Sequence, residues 1–305
     1  MKATLIYNQN ARQTDQVTVE TLQNALRAAG YYPVYTPTLS EEDVDEALAD
    51  ATGGLVVAAG GDGTVRAVAT RLLDRDAVLT ILPLGTANNI ARTLGIEGDP
   101  LELVDRLADP VKCAFDVGRV TAPWGTHYFL EALGFGFYAD TLVAYEPEKE
   151  KSVLRAVRAF TQTLPDYQAR PFTMVLDGND ISGDFLLVEV LNTTAFGPRL
   201  KVAPEADVGD GLFEVIRVRA RERDSFVRYM LSLVAEELDE LPSVEVSRGK
   251  RLEVVWTGFP LHVDGELHPD SRDRMEGGAA EEAELLIEVM PQALDFWLPA
   301  QNDEA

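Results

Sequence analysis

The chain has 305 residues, of which 46% are hydrophobic and 26% are charged, and its formal net charge is −24 from 51 acidic and 27 basic residues. This composition is typical of a folded, soluble protein, and the length favours two domains. Because so large a negative charge repels phosphate backbones, we expect no nucleic-acid partner. The single cysteine, Cys113, cannot form an intramolecular disulfide, so the sequence favours a reducing, cytoplasmic location.

The first 112 residues alternate short apolar runs with helical patterns. Strands are predicted at 3–7, 32–35, 55–59 and 78–83, and helices at 17–29, 40–49, 65–73 and 90–94. This alternation is typical of an α/β domain with a mostly parallel sheet.

Beyond residue 112 the pattern changes to short β-type runs separated by turn residues. We expect a β-sandwich or barrel over residues 113–290, interrupted by helices at 152–164 and 224–238. A final segment, about 291–300, could pack back on the first domain.

The sharpest local motif is Gly60-Gly61-Asp62-Gly63-Thr64, which follows an apolar run and precedes a helical pattern. A loop that joins a strand to a helix presents unpaired N–H groups and the positive end of the helix dipole, which suits a phosphate. The glycines are expected to allow close approach of an anion and a positive φ. Since Asp62 would repel a phosphate, it is expected to serve a metal or a reacting hydroxyl. A tight structural turn is the alternative.

A second strand, loop and helix follow at residues 82–92, where Thr86 and Asn88 could meet a nucleotide. A capped helix after a buried strand is the alternative. Two such loops in tandem predict a crevice at the strand ends, where open α/β sheets bind ligands.

Together, Gly60-Gly61-Asp62-Gly63-Thr64 and Pro83-Leu84-Gly85-Thr86-Ala87-Asn88 resemble the catalytic domain of the diacylglycerol kinase and sphingosine kinase family, in its bacterial soluble lipid kinase branch. The resemblance implies a phosphofructokinase-like α/β nucleotide-binding domain at residues 1–112 and a β-sandwich lipid-binding domain at 113–290. Further landmarks of the resemblance are Asn8, 131–136, Asn192, 204–206, 210–212 and 263–266.

The resemblance also assigns roles to residues by their position. It implies a general base at Glu266 with Asp264 beside it, and a metal-positioning or hydroxyl-positioning role for Asp62, although the division of roles between Glu266 and Asp62 stays open. It implies a magnesium site at Asp207, Asp210 and the Leu212 carbonyl. The implied nucleotide contacts are Asn8, Thr38 (with Thr36 as an alternative), Gly60, Gly61, Asp62, Gly63, Thr64, Arg66 and Thr86.

The chain departs from the family pattern in three places. Its first loop, Asn8-Gln9-Asn10-Ala11-Arg12, lacks the usual Pro and Gly, Asn89 stands where an aspartate is common, and Arg66 stands where Asn or Asp is common. The three histidines, which lack metal-ligand spacing, are interpreted as structural or surface residues. The amphipathic helix at 152–164 could rest at a lipid interface or gate the entry of an acyl chain, with core packing as the alternative. Candidate contacts for anionic lipid headgroups are Arg217, Arg219, Arg221 and Arg223, with a solvated strand face as the alternative.

The resulting prediction is an ATP- and Mg²⁺-dependent lipid kinase of the cytoplasm that makes peripheral contact with a membrane. Its expected substrate is a lipid alcohol, diacylglycerol or a related glycerolipid, and a homodimer is left open. One alternative is a kinase of a soluble substrate, similar to NAD kinase or phosphofructokinase. The other is a non-catalytic regulator that binds nucleotide or lipid, which the departures in the first loop suggest.

Overall fold

The computed structural model describes residues 1–9, 17–38, 41–49, 51–144, 164–197, 199–228, 244–269 and 282–300. The chain divides into two compact units, Met1–Asp116 with Gln292–Ala305, and Val117–Pro291. The sequence set its domain boundary at residues 112 and 113, and the structure divides the chain four residues later.

The described helices include α1 (Val19–Ala28), α2 (Glu41–Leu48), α3 (Asp62–Leu72), α4 (Asn89–Thr93), α5 (Pro100–Arg106) and α6 (Phe137–Ala144). The first strands are β1 (Lys2–Tyr7), β2 (Tyr32–Tyr35), β3 (Leu55–Gly60), β4 (Val78–Pro83), β5 (Val111–Ala122), β6 (Gly125–Phe129) and β7 (Ala132–Gly136). They are followed by β8 (Arg170–Phe172), β9 (Met174–Leu176), β10 (Asn179–Asp180), β11 (Gly183–Phe185), β12 (Leu187–Leu191), β13 (Ala195–Phe196) and β14 (Leu200–Lys201). The last strands are β15 (Phe213–Val218), β16 (Glu245–Gly249), β17 (Arg251–Trp256), β18 (Leu261–Val263), β19 (Glu266–His268) and β20 (Ala283–Leu298).

The first unit is built on a parallel sheet with the strand order β2-β1-β3-β4, and the end of β20 pairs with β4 in parallel, Asp295 opposite Val78. All six residues of β3 are buried, as expected for a parallel strand covered on both faces. Helix α1 begins at a capping box in which Thr18 and Thr21 bond each other's backbone N–H groups. It buries Leu22 and Leu26 on one side.

The second unit is a β-sandwich. One of its sheets is antiparallel, with the order β16-β15-β12-β7-β18-β19, and the other contains β10-β9-β17 and the first part of β20. Alternate residues of the first sheet, such as Leu133 and Val190, pack against Met174, Leu252 and Ile287 of the second. The predicted fold class, an α/β domain followed by a β-sandwich, is confirmed.

The opposite face of the six-stranded sheet is also buried. Leu187, Leu191 and Ile216 pack there with Phe137 of α6 and with Phe196. The predicted helix at 152–164 lies outside the described residues except for Leu164, which is buried. Of the predicted helix at 224–238, residues 224–228 are helical and the rest lies outside the described part. Within the described ranges, none of the helices combines the length and the apolar character needed to cross a bilayer.

Candidate active site

The predicted nucleotide-contacting segments of the first unit lie at one edge of its sheet. Parallel strands end at the same edge, so the chain leaves β1, β2, β3 and β4 on that side. The register places Tyr7 opposite Ala59 and Gly60 opposite Pro83. The structure therefore brings together the segments that carry Asn8, Thr38, the glycine loop at 60–64 and Thr86.

Asn8 joins the first loop to the glycine loop. Its backbone N–H donates to the Ala59 carbonyl at 3.0 Å, and its Nδ2 donates to Thr64 Oγ1 at 3.0 Å. The part of the first loop at residues 10–12 lies outside the described residues. Although the first loop lacks the usual Pro and Gly, Asn8 still forms this hydrogen bond to Thr64 of the glycine loop.

Close packing within and between the two loops explains the glycines at Gly60 and Gly85. A Cβ atom at Gly85 would lie 2.5 Å from the Cα of Gly61, and one at Gly60 would lie 2.4 Å from Thr64 Oγ1. The expectation of a positive φ in the glycine loop is wrong, since none of its glycines, all of them described, adopts one. A Cβ at Gly63, in contrast, would meet nothing within 4 Å. Gly63 therefore borders open space beside the first turn of α3.

Asp62 has a structural contact that the motif alone did not indicate. It is the first residue of α3, and its Oδ1 accepts a hydrogen bond from the Ile90 N–H at 3.1 Å, in the first turn of α4. The carboxylate thus ties the two loops together. The expectation that an acid in this loop serves only a metal or a hydroxyl is incomplete.

Asn88 closes the second loop on itself. It adopts a left-handed conformation with φ of 52°, a region that Asn tolerates better than most residues. Its side-chain amide accepts from the Gly85 N–H at 3.0 Å and donates to the Gly85 carbonyl at 3.1 Å. Its amide is therefore used within the loop instead of facing a nucleotide. Thr86, in the same loop, and Arg66, on α3, are half-buried.

The start of α3 has the chemistry of an anion site. Amide groups in the first turn of a helix have no acceptor within the helix, and the helix dipole favours negative charge at that end. Thr64 and Val65 are the first residues whose N–H groups turn back to bond the Gly61 carbonyl. The amide of Gly63, in this first turn and beside open space, is a candidate contact for a phosphate.

In the second unit, Asp264 and Gly265 form the turn of a tight hairpin. Val263 on β18 pairs with Glu266 on β19, and the two turn residues have φ of 48° and 81°. Positive φ at both positions is the mark of a type I′ turn, for which Asp-Gly is a preferred sequence. Glu266 is the first residue after the turn and is exposed.

The Asp264 carboxylate anchors this hairpin. Three consecutive backbone N–H groups donate to it, those of Leu130, Glu131 and Ala132, at 2.9, 2.9 and 3.0 Å. Bonds from backbone N–H groups to a charged acceptor are stronger than bonds between neutral groups. Asp264 therefore fixes the position of the residue that follows the turn, and its catalytic role stays a prediction.

Landmarks that lie far apart in the sequence meet around this hairpin. Glu131, which is buried, accepts a hydrogen bond from the Gly197 N–H at 2.7 Å. Asn192 donates through Nδ2 to the Leu130 carbonyl at 3.2 Å. Polar groups of the loop before β7, of the segment after β12 and of the hairpin thus form one connected cluster.

The residues predicted to hold magnesium have other partners in this structure, and their role as metal ligands stays a prediction. Asp210 Oδ1 accepts from the Leu212 N–H at 2.9 Å, and Asp210 Oδ2 forms an ion pair with Arg248. Arg248 also bonds the buried Glu214 at 2.9 Å, and burial raises the pKa of that carboxyl. Among the described residues, no group of three or more acidic, His or Cys side chains is arranged to hold a metal.

Two of the arginines considered as lipid contacts, Arg219 and Arg221, bond one acid. Arg219 bonds Glu245 at 2.6 and 3.1 Å, and Arg221 bonds the same carboxylate at 2.9 Å. Arg223 donates to the Tyr167 carbonyl. Because hydrogen bonding to Arg219 lowers the pKa of Glu245, that acid stays charged and compensates part of the positive charge. Contact of these arginines with lipid headgroups stays a prediction, with a solvated strand face as the alternative.

Glu189 is a buried acid that sequence reasoning missed. Glu189 interrupts the apolar run of β12 and is fully buried, with its Oε2 atom 2.9 Å from Nε2 of His262. The sequence did contain a signal for it, since Glu189 is a single acid flanked by six apolar residues, 185–188 and 190–191.

Two family models match the chain. Residues 2–120 match the diacylglycerol kinase catalytic domain, and residues 140–297 match the YegS C-terminal NAD kinase beta sandwich-like domain. The chain belongs to the diacylglycerol kinase family. The enzyme class expected from the sequence, a lipid kinase, is thereby confirmed at the level of the family.

Individual proteins agree with the family assignment. A diacylglycerol kinase of Bacillus subtilis (strain 168) is 27% identical over 87% of this chain and 89% of its own length. A diacylglycerol kinase of Mycobacterium tuberculosis (strain CDC 1551 / Oshkosh) is 29% identical over 72% of each chain.

Solved structures support the fold. A crystal structure from Bacillus anthracis str. Sterne superposes with a TM-score of 0.74 at 20% identity, over 97% of this chain and 95% of the other. A second structure from the same organism, described as a diacylglycerol kinase, has a TM-score of 0.66 at 18% identity, over 97% and 96%.

Proposed function

We propose that the chain transfers the γ-phosphoryl group of ATP to the hydroxyl of a lipid alcohol, with diacylglycerol or a related glycerolipid as the preferred substrate. The observation that carries this proposal is the pair of loops packed backbone to backbone at Gly61 and Gly85, at the carboxyl edge of a parallel sheet. The family to which the chain belongs supplies the lipid as the acceptor.

In this proposal the first unit binds the nucleotide. The first-turn amides of α3 hold phosphate oxygens, and Gly63 lets the phosphate come close because it adds no side chain there. Thr64 keeps its orientation through Asn8. Thr86, Thr38 and Arg66 remain proposed nucleotide contacts. Mg²⁺ carried on the triphosphate neutralises part of its charge.

Glu266 is the proposed general base. It accepts the proton of the lipid hydroxyl as the hydroxyl oxygen bonds to the γ-phosphorus, while the bond from that phosphorus to the β,γ-bridging oxygen breaks and ADP leaves. The hairpin keeps Glu266 at the surface and holds its backbone through the three amide bonds of Asp264. Glu266 is exposed, whereas Asp264 is half-buried and holds the turn through these amides, so Glu266 is the better candidate for proton transfer.

The proposal is tested by following labelled phosphate from ATP. The purified chain is incubated with Mg²⁺, labelled ATP and vesicles that contain either diacylglycerol or a sphingoid base, and lipid and aqueous phases are then separated. Label in the lipid phase with diacylglycerol vesicles is the expected result. Glu266→Gln should reduce the rate by about 100-fold or more, because general-base catalysis contributes about 10²- to 10⁴-fold. Because Glu266 is exposed, the variant should keep the melting temperature of the parent.

Two other outcomes would overturn the proposal. The β-sandwich family model is named for its likeness to NAD kinase, so NAD⁺ and fructose 6-phosphate are assayed in parallel. Label that appears only in the aqueous product identifies a kinase of a soluble substrate. Nucleotide binding in calorimetry without transfer to any acceptor identifies a regulator. Repeating the assay with EDTA tests the requirement for Mg²⁺.

A further inference from the structure

A row of three residues crosses the six-stranded sheet beneath the catalytic hairpin. Glu189 on β12 lies opposite Gly134 on β7, and Gly134 lies opposite His262 on β18. Directly opposite residues of antiparallel strands point to the same face of the sheet. The side chains of Glu189 and His262 therefore flank a strand position that has no side chain.

Gly134 leaves the space that the carboxylate occupies. A Cβ atom at Gly134 would lie 2.1 Å from Glu189 Oε2, so any other residue would displace the carboxylate. Across this gap Glu189 Oε2 lies 2.9 Å from His262 Nε2. The glycine is therefore a requirement for the contact between the two ionisable residues.

Hydrogen bonding defines the tautomer of His262. The N–H of Gly265 donates to Nδ1 at 3.3 Å, so Nδ1 carries a lone pair and Nε2 carries the ring proton. Nε2 then donates to the Glu189 carboxylate. The ring is also enclosed by Tyr138, edge-on with centroids 4.7 Å apart, and by Phe196, stacked at 6.5 Å. The imidazole thus has one orientation, which ends at the turn of the hairpin.

A gain in stability does not explain why Glu189 and His262 are buried together. Glu189 is 0% exposed and His262 is 1% exposed. Within the described part of the chain, Glu189 Oε1 has no hydrogen-bond partner. Burying a carboxylate with an unsatisfied oxygen is more costly than packing apolar side chains of similar volume. The link to Gly265, in the turn that precedes Glu266, is the contact that such a pair provides and an apolar pair would not.

We propose that Glu189 and His262 are positioning residues that hold the Asp264-Gly265 turn, and through it the backbone of Glu266, in the geometry for phosphoryl transfer; this inference rests on the proposed function. Asp264 anchors the turn from one side through the amides of residues 130–132. His262 anchors it from the sheet side through Gly265. With two anchors the turn is fixed, while with one it can rotate.

Glu189→Ala, Glu189→Gln and the matched control Val190→Ala test this inference. Val190 is the next residue of β12, is equally buried, and packs on the opposite face, in the sandwich core. Two quantities are measured in each variant: the hydrogen-exchange rate of the Gly265 amide by NMR, and kcat with KM for ATP in the lipid kinase assay. Gln keeps an oxygen that accepts from Nε2, so it serves as the conservative rescue.

Glu189→Ala is expected to speed Gly265 exchange about 10-fold more than Val190→Ala does. It is expected to lower kcat by about 10- to 100-fold, the size of a small misplacement of a catalytic group. KM for ATP should stay within about two-fold, because the predicted nucleotide loops belong to the other unit. Glu189→Gln should restore kcat and exchange to within about three-fold of the parent, and Val190→Ala should leave kcat within about two-fold.

Three results would overturn the inference: Gly265 exchange in Glu189→Ala equal to that in the control, an equal fall in kcat in both, or a Gln variant as impaired as the Ala variant. Should Glu189→Ala not fold, the double variant Glu189→Gln/His262→Phe gives the same test, because it keeps the ring volume and removes the buried charge. If the parent transfers no phosphate to lipid, the proposed function fails, and the exchange of the Gly265 amide still decides whether the pair holds the hairpin.

Discussion

The two regions that carry the proposed chemistry are held in opposite ways. The nucleotide loops of the first unit meet where side chains are missing, at Gly61 and Gly85, and their links are short polar contacts at a half-exposed edge. The hairpin of the second unit is held by two carboxylates, the half-buried Asp264 on three amides and the buried Glu189 on His262. Substitutions that add atoms should therefore disrupt the nucleotide loops. Substitutions that remove a charge or a hydrogen bond should disrupt the hairpin.

The largest expected effect is at Asp264. Asp264→Ala removes the acceptor of three backbone N–H groups, each worth about 1–3 kcal/mol when left without a partner. We expect a loss of about 3 kcal/mol or more in the free energy of unfolding, measured by urea titration. Asp264→Asn keeps one oxygen, which can accept from Glu131 and Ala132, and should lose roughly half as much. Equal stability of the Ala variant and the parent would show that these bonds contribute little.

Adding one carbon at Gly85 should break the other region. Gly85→Ala places a Cβ 2.5 Å from the Cα of Gly61 and 2.6 Å from Asn88 Oδ1, so the two loops must separate. Overpacking of this kind costs about 1–3 kcal/mol, and we also expect loss of measurable binding of a non-hydrolysable ATP analogue in calorimetry.

Gly63→Ala is the matched steric comparison. It adds the same carbon into open space and should leave the free energy of unfolding unchanged or higher by about 0.5–1 kcal/mol, because Gly is unfavourable within a helix. If Gly63→Ala destabilises the chain as much as Gly85→Ala does, close packing is not the reason for the glycines.

The buried acid of the second unit should make its stability depend on pH. Burial raises the pKa of Glu189 above its usual value of 4.5, although His262 opposes the shift. The folded protein therefore keeps this proton at pH values where the unfolded chain has lost it, and stability falls as the pH rises from 4.5 through the raised value. One such group contributes at most about 1.4 kcal/mol per pH unit.

The measurement is urea unfolding of the parent and of Glu189→Gln at a series of pH values. The Gln variant cannot titrate at this position and should show a flatter dependence over that window. Parallel curves for the two proteins would argue against the burial of a titrating carboxyl at residue 189.

The smallest expected loss of stability is at Asp62. Asp62→Ala removes the acceptor for the Ile90 N–H and should cost about 1 kcal/mol, while Asp62→Asn keeps an oxygen at that place and should cost less. Kinase activity separates its two roles. A fully active Asn variant shows that Asp62 serves to join the loops, and an inactive Asn variant with unchanged affinity for ATP shows that its charge is needed for the reaction.

Much of the fold could be predicted because the signals are local. Strands at 32–35 and 78–83 have the bounds that alternation and apolar runs indicated, and α1 lies within the predicted range of 17–29. The glycine loop was placed correctly between a strand and a helix. Backbone preference and hydrophobic period act over a few residues, so a single sequence contains them.

Within the candidate site, side-chain partners were beyond sequence reasoning. Asn88 was interpreted as a nucleotide contact, and only the folded loop shows its amide bonded to Gly85. The predicted magnesium ligand Asp210 is paired with Arg248, which lies 38 residues away.

By itself, the sequence determined that an α/β nucleotide domain precedes a β-rich domain, and which loops could receive a phosphate. Only the tertiary structure decided which acids are engaged: Asp62 bonds a residue 28 positions away, Glu189 one 73 away, and Asp264 an amide 132 away. A carboxylate has the same intrinsic chemistry wherever it stands in the chain. Its role depends on the donors and the burial that the fold places around it, and these are set by strand register across the sheet.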